Sequence, residues 1–330
     1  MDNLPFIIQQ MMYFSIPLLV VALGGMFSER SGVVNIALEG IMLFGAFVGV
    51  IVVYYIQSTL TGDLLNSVAY AQRVLVYGVL VSGFAGAVFT ILHAYASINM
   101  RADQIISGTA LNLFAPALAI FVARSFAFTN YTQQVSFRRK SFLIRKVPYL
   151  GDIPIIGKLL FQNIYITTFI GIGILIISSI ILYKTRFGLR LRSCGEHPHA
   201  AAAAGINVKM IRYAGVIISG FLGGIGGFTL IVTTTTQFNA TVSGYGFLAL
   251  AVLIFGQWKP GKILLAALFF GLMKTIASAY SLVPLIKDLR LPSQYYKMIP
   301  FIATLILLAF TSVKSQAPKA AGEIYDVGKR

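Results

Sequence analysis

The chain has 330 residues, of which 57% are hydrophobic and only 11% are charged, and its formal net charge is +16. A soluble globular domain carries about 25% charged residues, so a chain this apolar cannot be solvated on every side, and the lipid bilayer must cover much of it. Its basic residues cluster between apolar runs, which topology and anionic headgroups explain better than nucleic acid; we therefore expect no nucleic-acid partner. The single cysteine, Cys194, excludes an internal disulfide.

Hydropathy predicts an all-α, polytopic membrane protein with one transmembrane domain over residues 1–330. Apolar runs of about 20 residues can cross a hydrocarbon core about 30 Å thick as helices. The first run has no basic leader and is followed by others, so we expect no cleaved signal. Short or Gly-interrupted spans, such as the second and seventh, are typical of transport pathways and also of tilted packing helices. We predict nine spans, at 4–26, 40–56, 74–97, 104–127, 164–183, 213–233, 244–257, 262–283 and 297–313.

The sequence SERSGVVNIALEG at 28–40 places polar groups between the first two spans. Asn35 and Glu39 are four residues apart, so they would share a face if this part is helical. Charged groups at membrane depth are costly and usually face a cavity or a partner. Asn35 and Glu39 are therefore candidates for a substrate pathway, and a turn followed by a helix cap is the alternative.

A second polar stripe begins the fourth span, in RADQIISGTALNLF at 101–114. Gln104, Gly108 and Asn112 follow at intervals of four residues, and Ser107 and Thr109 flank them. Amides and hydroxyls can bind a polar solute without the cost of burying a charge. They can equally join two helices. We assign Gln104, Ser107, Thr109 and Asn112 to the pathway, with helix–helix contact as the alternative.

Two basic loops flank the fifth span, at 128–163 and 184–212, and each carries six basic residues. We expect the first to form short surface helices on the membrane, either as a connector or as a docking surface for an external partner. A cytoplasmic C-terminus would put 14 basic residues inside and 10 outside, which agrees with the positive-inside rule. Because the two loops tie, charge alone does not orient the chain.

No motif supports catalysis or metal binding. GQWKPGKI at 256–263 has the spacing of a phosphate-binding loop, but Ile263 stands where that loop needs Ser or Thr. GYGFLA at 244–249 lacks the strand–helix context of a dinucleotide site. His197 and His199 are two ligands on one loop, which make a poor metal site. We expect no catalytic residue, no metal site and no cofactor in this chain.

Small and ionisable residues inside the spans have separate explanations. SGFLGGIGG at 219–227 contains two overlapping G-x-x-x-G pairs, which predict close helix packing. His93 and Lys274 lie within apolar spans, where a functional role and an internal hydrogen bond or snorkelling are both open.

Five ordered segments, spread over most of the chain, resemble one family. They are ALGGMFSERSGVVNIALEGIMLFGAF (22–47), QIISGTALNLFA (104–115), FGLRLRSCGEHPHAAAAAGINV (187–208), GYGFLALAVLIFGQWKP (244–260) and LPSQYYKMIPFIATLILLA (291–309). Together they resemble the permease subunit of bacterial ABC importers in the ribose/nucleoside (simple sugar) branch. The likeness is greatest to the shorter permease of nucleoside importers.

The resemblance implies a mechanism and partners. Two related permeases form one pathway across the bacterial plasma (inner) membrane, and an extracytoplasmic binding protein delivers substrate. Two cytoplasmic ATPase subunits bind ATP and magnesium and drive alternating access. The family's coupling loop falls on Gly188–Val208, which implies a cytoplasmic 184–212, an extracytoplasmic 128–163, an outside N-terminus and a cytoplasmic C-terminus. The recurring positions of that loop are Arg190, Arg192, Gly195, Glu196, Ala203 and Gly205, with Gly195 and Gly205 expected to allow tight turns.

The substrate expected from the resemblance is a nucleoside or a related ribose compound, and simple sugars and riboflavin-like ligands stay open. A second class of function is a secondary transporter driven by an ion gradient. That class needs an ionisable residue deep in the membrane, for which Glu39 and Lys274 are the candidates. A third class is a channel-like protein without coupled transport.

Overall fold

A computed structural model describes residues 4–59, 67–125, 135–138, 142–154, 156–279, 292–311 and 316–326. Helices dominate it, so the all-α, polytopic prediction is confirmed. The helices are α1 Leu4–Arg30, α2 Leu38–Thr59, α3 Val68–Ile98, α4 Gln104–Ser125, α5 Ile156–Leu160, α6 Ile166–Lys184, α7 Arg186–Glu196, α8 Pro198–Ala203, α9 Val208–Thr234, α10 Tyr245–Phe255, α11 Pro260–Ser278, α12 Ser293–Lys297 and α13 Ile299–Thr311. The strands are β1 Val135–Ser136, β2 Leu143–Lys146, β3 Gln162–Tyr165 and β4 Gln237–Phe238.

Seven of the described helices are long and apolar enough to cross a membrane. They are α1, α2, α3, α4, α6, α9 and α11. The predicted spans 244–257 and 297–313 are helical as well, but α10 has 11 residues and α13 has 13. At 1.5 Å per residue, α10 is about 16 Å long, roughly half of a hydrocarbon core. The predicted number of nine crossings is therefore not confirmed within the described residues.

Helix α9 lies at the centre of the bundle, antiparallel to α1. Its beginning packs on the end of α1, since a Cβ at Gly215 would lie 2.9 Å from the carbonyl oxygen of Phe27. Its end lies beside the beginning of α1, where the Thr233 hydroxyl donates to the carbonyl oxygen of Tyr13 at 3.3 Å. The glycines of 219–227 let neighbouring helices approach: Gly224 lies against Gly45 of α2. The packing prediction for this segment is confirmed.

The described elements outside the bundle gather at its two ends. One end, which we call the strand end, carries the antiparallel pairs β1–β4 and β2–β3. The other, the α7–α8 end, carries those two helices and the C-terminal segment 316–326, where the Ala320 amide donates to the carbonyl oxygen of Gly195 at 2.8 Å. The loops 128–163 and 184–212 thus lie at opposite ends.

The prediction of short surface helices in 128–163 is wrong for most of its described part. The segment forms β1, β2 and β3, a 3-10 turn at Leu150–Asp152, and only one helix, the five-residue α5. Strand pairing explains the difference: β2 pairs antiparallel with β3, with Leu143 opposite Tyr165. Tyr165 is buried and its ring centre lies 5.1 Å from that of Tyr13 on α1. Residues 128–134, 139–141 and 155 lie outside the described residues.

Packing at Gly224 gives a matched test. A methyl group there would clash with the carbonyl oxygen of Ser82 and lie 3.2 Å from Cα of Gly86. Overpacking of this kind costs about 1–3 kcal/mol. We expect Gly224→Ala to lower the thermal unfolding midpoint of the purified protein in detergent.

The control for this test is Gly173→Ala on α6, where a Cβ would meet no atom within 4 Å. Because alanine is the better helix former, this change should leave the midpoint unchanged or raise it. An equal loss of stability in both variants would contradict the packing account.

Candidate functional site

The candidate site is built around a short non-helical segment inside the bundle. Helix α1 ends at Arg30 and α2 begins at Leu38, and the seven residues between them, 31–37, form no helix. We call them the break segment. Val33, Asn35 and Ala37 are fully buried there. The free N–H and C=O groups of a buried segment need partners, because lipid offers none.

Asn35 belongs to this non-helical segment, so the condition under which Asn35 and Glu39 would share a helical face is not met, and the alternative of a turn before a helix describes the backbone. Glu39 lies in the first turn of α2, whereas Asn35 precedes that helix. The amide nitrogen of Asn35 instead donates to the hydroxyl oxygen of Ser219 on α9 at 2.9 Å. The two side chains thus point to different neighbours.

Polar side chains on one face of α4, the face predicted from the sequence, bind several backbone groups in and next to the break segment. Gln104 Oε1 accepts from the amide of Val34 at 2.8 Å. Asn112 Oδ1 accepts from the amide of Gly40 at 2.8 Å, and its Nδ2 donates to the carbonyl oxygen of Ile36 at 2.9 Å. Gly108 stands between them and lets the break segment approach, since a Cβ there would lie 3.1 Å from the backbone nitrogen of Ala37. The three residues share one face of α4, as their spacing predicted.

His93 on α3 binds the carbonyl oxygen of Val34, the backbone group of that residue that Gln104 does not bind. Its Nε2 lies 3.0 Å from the carbonyl oxygen of Val34, and its Nδ1 lies 2.8 Å from Ser107 Oγ. A carbonyl oxygen can only accept, so Nε2 carries the proton and the Ser107 hydroxyl donates to Nδ1. Among the predicted pathway residues Thr109 stands apart: it is exposed, and its hydroxyl donates to the carbonyl oxygen of Ile105 in its own helix at 2.8 Å.

A second helix begins at the same place. The two carboxylate oxygens of Glu39 accept from the amides of Gly244 at 2.8 Å and Gly246 at 2.6 Å, at the start of α10. A helix N-terminus carries free N–H groups and a partial positive charge, so a carboxylate is a suitable cap for it. Glu39 therefore joins the first turns of two broken helices, α2 and α10.

Sequence reasoning missed this junction, although GYG at 244–246 carried a signal for it. Gly244 has a left-handed φ of 77°, which favours glycine. A side chain at Gly246 would clash with the backbone nitrogen of Glu39. The two glycines thus allow α10 to start against α2.

Lys274 reaches the same region from α11. Its Nζ lies 4.8 Å from the ring centre of Tyr245 and 5.8 Å from that of Phe301. A cation over an aromatic face is attracted by the ring. The lysine noted in the sequence therefore faces the start of α10.

At the α7–α8 end, the turn at Trp258 and helix α7 are tied to the end of α1. The indole Nε1 of Trp258 donates to Glu29 Oε2 at 2.6 Å, and the Arg30 guanidinium donates to the carbonyl oxygen of Trp258 at 3.2 Å. Arg30 also forms an ion pair with Glu196 at 3.7 Å. The turn at 256–263, whose spacing imitated a phosphate-binding loop, thus serves as a contact between α10, α11 and α1.

The predicted coupling residues divide into exposed and buried groups. Arg190, Ala203 and Gly205 are exposed, and Gly205 has a left-handed φ of 80°, as a tight turn requires. Arg192 lies over the ring of Tyr183, with 5.4 Å from Cζ to the ring centre. Gly195 forms no turn: it lies within α7, and a side chain there would clash with the carbonyl oxygen of Arg30. Its predicted role in turning the chain is therefore wrong, and close packing explains the glycine.

His197 and His199 are both exposed at this end. Within the part of the chain that the structure describes, no three His, Cys, Asp or Glu side chains are placed to hold a metal ion. Cys194 is buried in α7, outside the helices long enough to span a membrane, and burial raises the pKa of its thiol. A thiol that stays protonated reacts slowly.

Comparison with known proteins decides the class of this fold. Residues 7–309 match the family described as branched-chain amino acid transport system / permease component. The chain belongs to this permease family. Membership makes it a multi-pass, non-catalytic subunit of an ABC transporter, and it favours ATP-driven transport over an ion-coupled carrier or an uncoupled channel.

Three relatives show where this permease stands in its family. It is 43% identical over 328 residues to the guanosine ABC transporter permease protein NupQ of Bacillus subtilis, covering 99% of this chain and 98% of the relative. It is 41% identical to the nucleoside ABC transporter permease protein NupC of Lactococcus lactis, covering 98% of each. It is 28% identical to the putative glucose ABC transporter permease protein TsgC13 of Haloferax volcanii, covering 92% and 91%. No solved structure matches the permease.

Asn112 offers a direct test of how the break segment is held. Asn112→Leu keeps the side-chain size but leaves the Gly40 amide and the Ile36 carbonyl without their partner. A buried polar group left unpaired costs about 1–3 kcal/mol. We expect a clearly lower thermal unfolding midpoint in detergent.

Thr109→Val on the same helix is the matched control, because the Thr109 hydroxyl bonds only within its own turn. It should leave the midpoint near that of the unmodified protein. If Asn112→Leu were as stable as Thr109→Val, the amide would not be holding the break segment.

Proposed function

We propose that this chain is the transmembrane pathway subunit of an ATP-driven importer for nucleosides, in a bacterial plasma membrane. The observation that carries the proposal is the identity of 43% and 41%, over nearly whole lengths, to permeases named for guanosine and for nucleosides. Similarity that runs from end to end includes the break segment, the junction at Glu39 and the α7–α8 end alike.

The junction of α2 and α10 suits a neutral, polar substrate. A nucleoside presents hydroxyl and amide-like groups beside a flat aromatic base, and it needs hydrogen-bond donors and acceptors next to aromatic rings. Asn35 Oδ1 and Gln104 Nε2 are buried without hydrogen-bond partners among the described residues. Tyr245 and Lys274 lie together at the start of α10, where Glu39 of α2 binds the Gly244 and Gly246 amides.

The pathway we propose therefore follows the break segment. Glu39, Ser107 and Asn112 hold its shape through the hydrogen bonds described above, and Asn35 and Gln104 keep capacity for the substrate or for water. Half-helices that meet within a membrane are the usual setting of transporter sites, because their free N–H groups are aimed at one point. Thr109 faces away and contacts a neighbouring molecule or lipid instead.

The ATPase partner, with ATP and magnesium bound to it, docks at the α7–α8 end in this proposal. Arg190, Ala203 and Gly205 supply the exposed contacts, and Arg192 lies beside them. Gly195 is buried against Arg30 and the partly exposed Glu196 pairs with it, so both pass a movement of α7 to the end of α1. The chain itself contributes no cofactor.

The remaining partners follow from the arrangement of the two ends. The α7–α8 end with the C-terminus is cytoplasmic, and the strand end with the N-terminus is outside, where it receives an extracytoplasmic binding protein. A second, related permease is supported by the Lactococcus lactis relatives, since NupB of that organism is also named a nucleoside permease and is 25% identical over 93% of this chain. Lipid covers the other exposed apolar faces.

Uptake in cells tests the proposal. We expect a strain lacking this gene to lose uptake of tritiated guanosine and a plasmid copy to restore it. Unlabelled uridine should compete, whereas glucose and riboflavin should not. Arsenate, which depletes ATP, should stop uptake, and a protonophore should not while ATP is maintained.

The affinity-tagged chain should also copurify with an ABC ATPase. Uptake that survives ATP depletion and collapses with the protonophore would contradict ATP-driven import. Competition by glucose alone would replace nucleosides with a sugar as the substrate class.

A further inference from the structure

We propose that the C-terminal segment 316–326 is a positioning element that carries movement of the coupling helices to the break segment. We call it the C-terminal strap. The inference rests on the proposed function and adds to it a part of the chain outside both the substrate site and the coupling loop. It is argued from four contacts that the strap makes within the bundle.

Two backbone hydrogen bonds tie the strap to two separate elements. The amide of Ala320 donates to the carbonyl oxygen of Gly195 in α7 at 2.8 Å, and the amide of Gly322 donates to the carbonyl oxygen of Gly32 in the break segment at 3.2 Å. These anchors are only two residues apart in the strap. Ala320 is buried, so this contact is part of the packed interior. A displacement of α7 therefore reaches Gly32 through a very short piece of chain.

Arg212, at the beginning of α9, holds the strap from the other side. Its side chain is only 2% exposed, and its guanidinium donates to the carbonyl oxygen of Glu323 at 2.9 Å and lies 5.7 Å from the ring centre of Tyr325. The guanidinium also packs on the break segment, because a Cβ at Gly32 would lie 2.7 Å from Nη2. Its Nε and Nη2 have no hydrogen-bond partner among the described residues.

A buried charge is costly when a partner is removed. Undocking the strap would deprive Arg212 of the Glu323 carbonyl, so the docked position is favoured. The strap is thus fixed at the point where α7, α9 and the break segment meet.

The last contact reaches α4. Asp326 forms an ion pair with Arg101 at 3.0 Å, three residues before α4 begins at Gln104. Both side chains are partly exposed, so the pair adds little to stability. The pair matters for position, because α4 carries Gln104 and Asn112, which hold the break segment. The strap therefore contacts both the break segment and the residue that leads into its supporting helix.

Coupling requires a physical connection from the ATPase-contacting helices to the substrate pathway. The strap provides one, since it bonds both to α7 and to the break segment. Besides the strap, α7 reaches the break region through Gly195 and Glu196 at Arg30 and through Cys194, which packs on the beginning of α9. The strap is the described connection that bonds to α7 and to the break segment within three residues. We expect loss of the strap to separate ATP hydrolysis from transport rather than to abolish assembly.

The test uses the complete transporter, purified with its partner subunits and reconstituted in liposomes with the binding protein and tritiated guanosine. Two truncations are compared: removal of residues 316–330, and removal of residues 327–330 as the control that keeps every strap contact. Allosteric coupling of 1–3 kcal/mol corresponds to a factor of about 5–150, so we expect the ATP hydrolysed per guanosine imported to rise about fivefold or more in the longer truncation. The control should match the full-length chain.

A charge exchange separates positioning from a general loss of structure. Arg101→Asp and Asp326→Arg should each raise the ratio of ATP to guanosine, and the double variant should restore it. Copurification of the ATPase checks that every variant assembles.

An unchanged ratio in the assembled long truncation, or a double variant worse than either single one, would overturn the role of the strap. If the full-length transporter showed no ATP-driven guanosine import, the proposed function itself would fail, and the role of the strap would fall with it.

Discussion

Backbone groups freed inside the helix bundle are the constraint on which this structure depends. A chain that leaves the helical conformation at 31–37 exposes N–H and C=O groups that lipid cannot bind, and each must find a partner within the protein. Val34 shows the solution most completely: its amide is bound by Gln104 and its carbonyl by His93. Ser28 does the same for the carbonyl of Val33 at 2.7 Å.

The same constraint determines how the neighbouring helices lie. Helix α4 must approach closely enough for Asn112 to reach both Ile36 and Gly40, and Gly108 allows it to. Helix α10 begins beside Glu39, because the Glu39 carboxylate accepts hydrogen bonds from the Gly244 and Gly246 amides at its N-terminus. The break segment is therefore a fixed structure held from several sides, and Asn35 Oδ1 and Gln104 Nε2, which are unpaired among the described residues, lie at it. In the proposed pathway, the residues that hold the segment also carry the atoms left for the substrate.

Several features could be predicted from the sequence because they depend on local pattern. Hydropathy located the helices, the spacing of Gln104 and Asn112 predicted their common face, and the glycines of 219–227 predicted close packing. The resemblance to ABC permeases, drawn from ordered segments, agrees with the family match over 7–309.

Other features depend on partners distant in the chain, and the sequence could not show them. Glu39 meets Gly244 across more than 200 residues, so the periodicity around either residue gives no sign of the contact. The pairing of β2 with β3 replaced the expected surface helices, and the backbone of Arg30 rather than a turn explains Gly195. The count of nine spans is not confirmed within the described residues, because hydropathy measures apolar length and cannot show how short a helix such as α10 is.

The central claim is that substrate passes beside the junction of α2 and α10. Ser243, exposed and next to Gly244, offers a probe, since the native Cys194 is buried and its thiol reacts slowly. The measurement is the rate at which a membrane-impermeant maleimide labels Ser243→Cys in the active transporter, with and without saturating guanosine. Tyr149→Cys, at an exposed position of the strand end, serves as the control. The account predicts that guanosine slows labelling at position 243 and leaves labelling at position 149 unchanged. Labelling at position 243 that guanosine does not alter, in a transporter that imports guanosine, would contradict it.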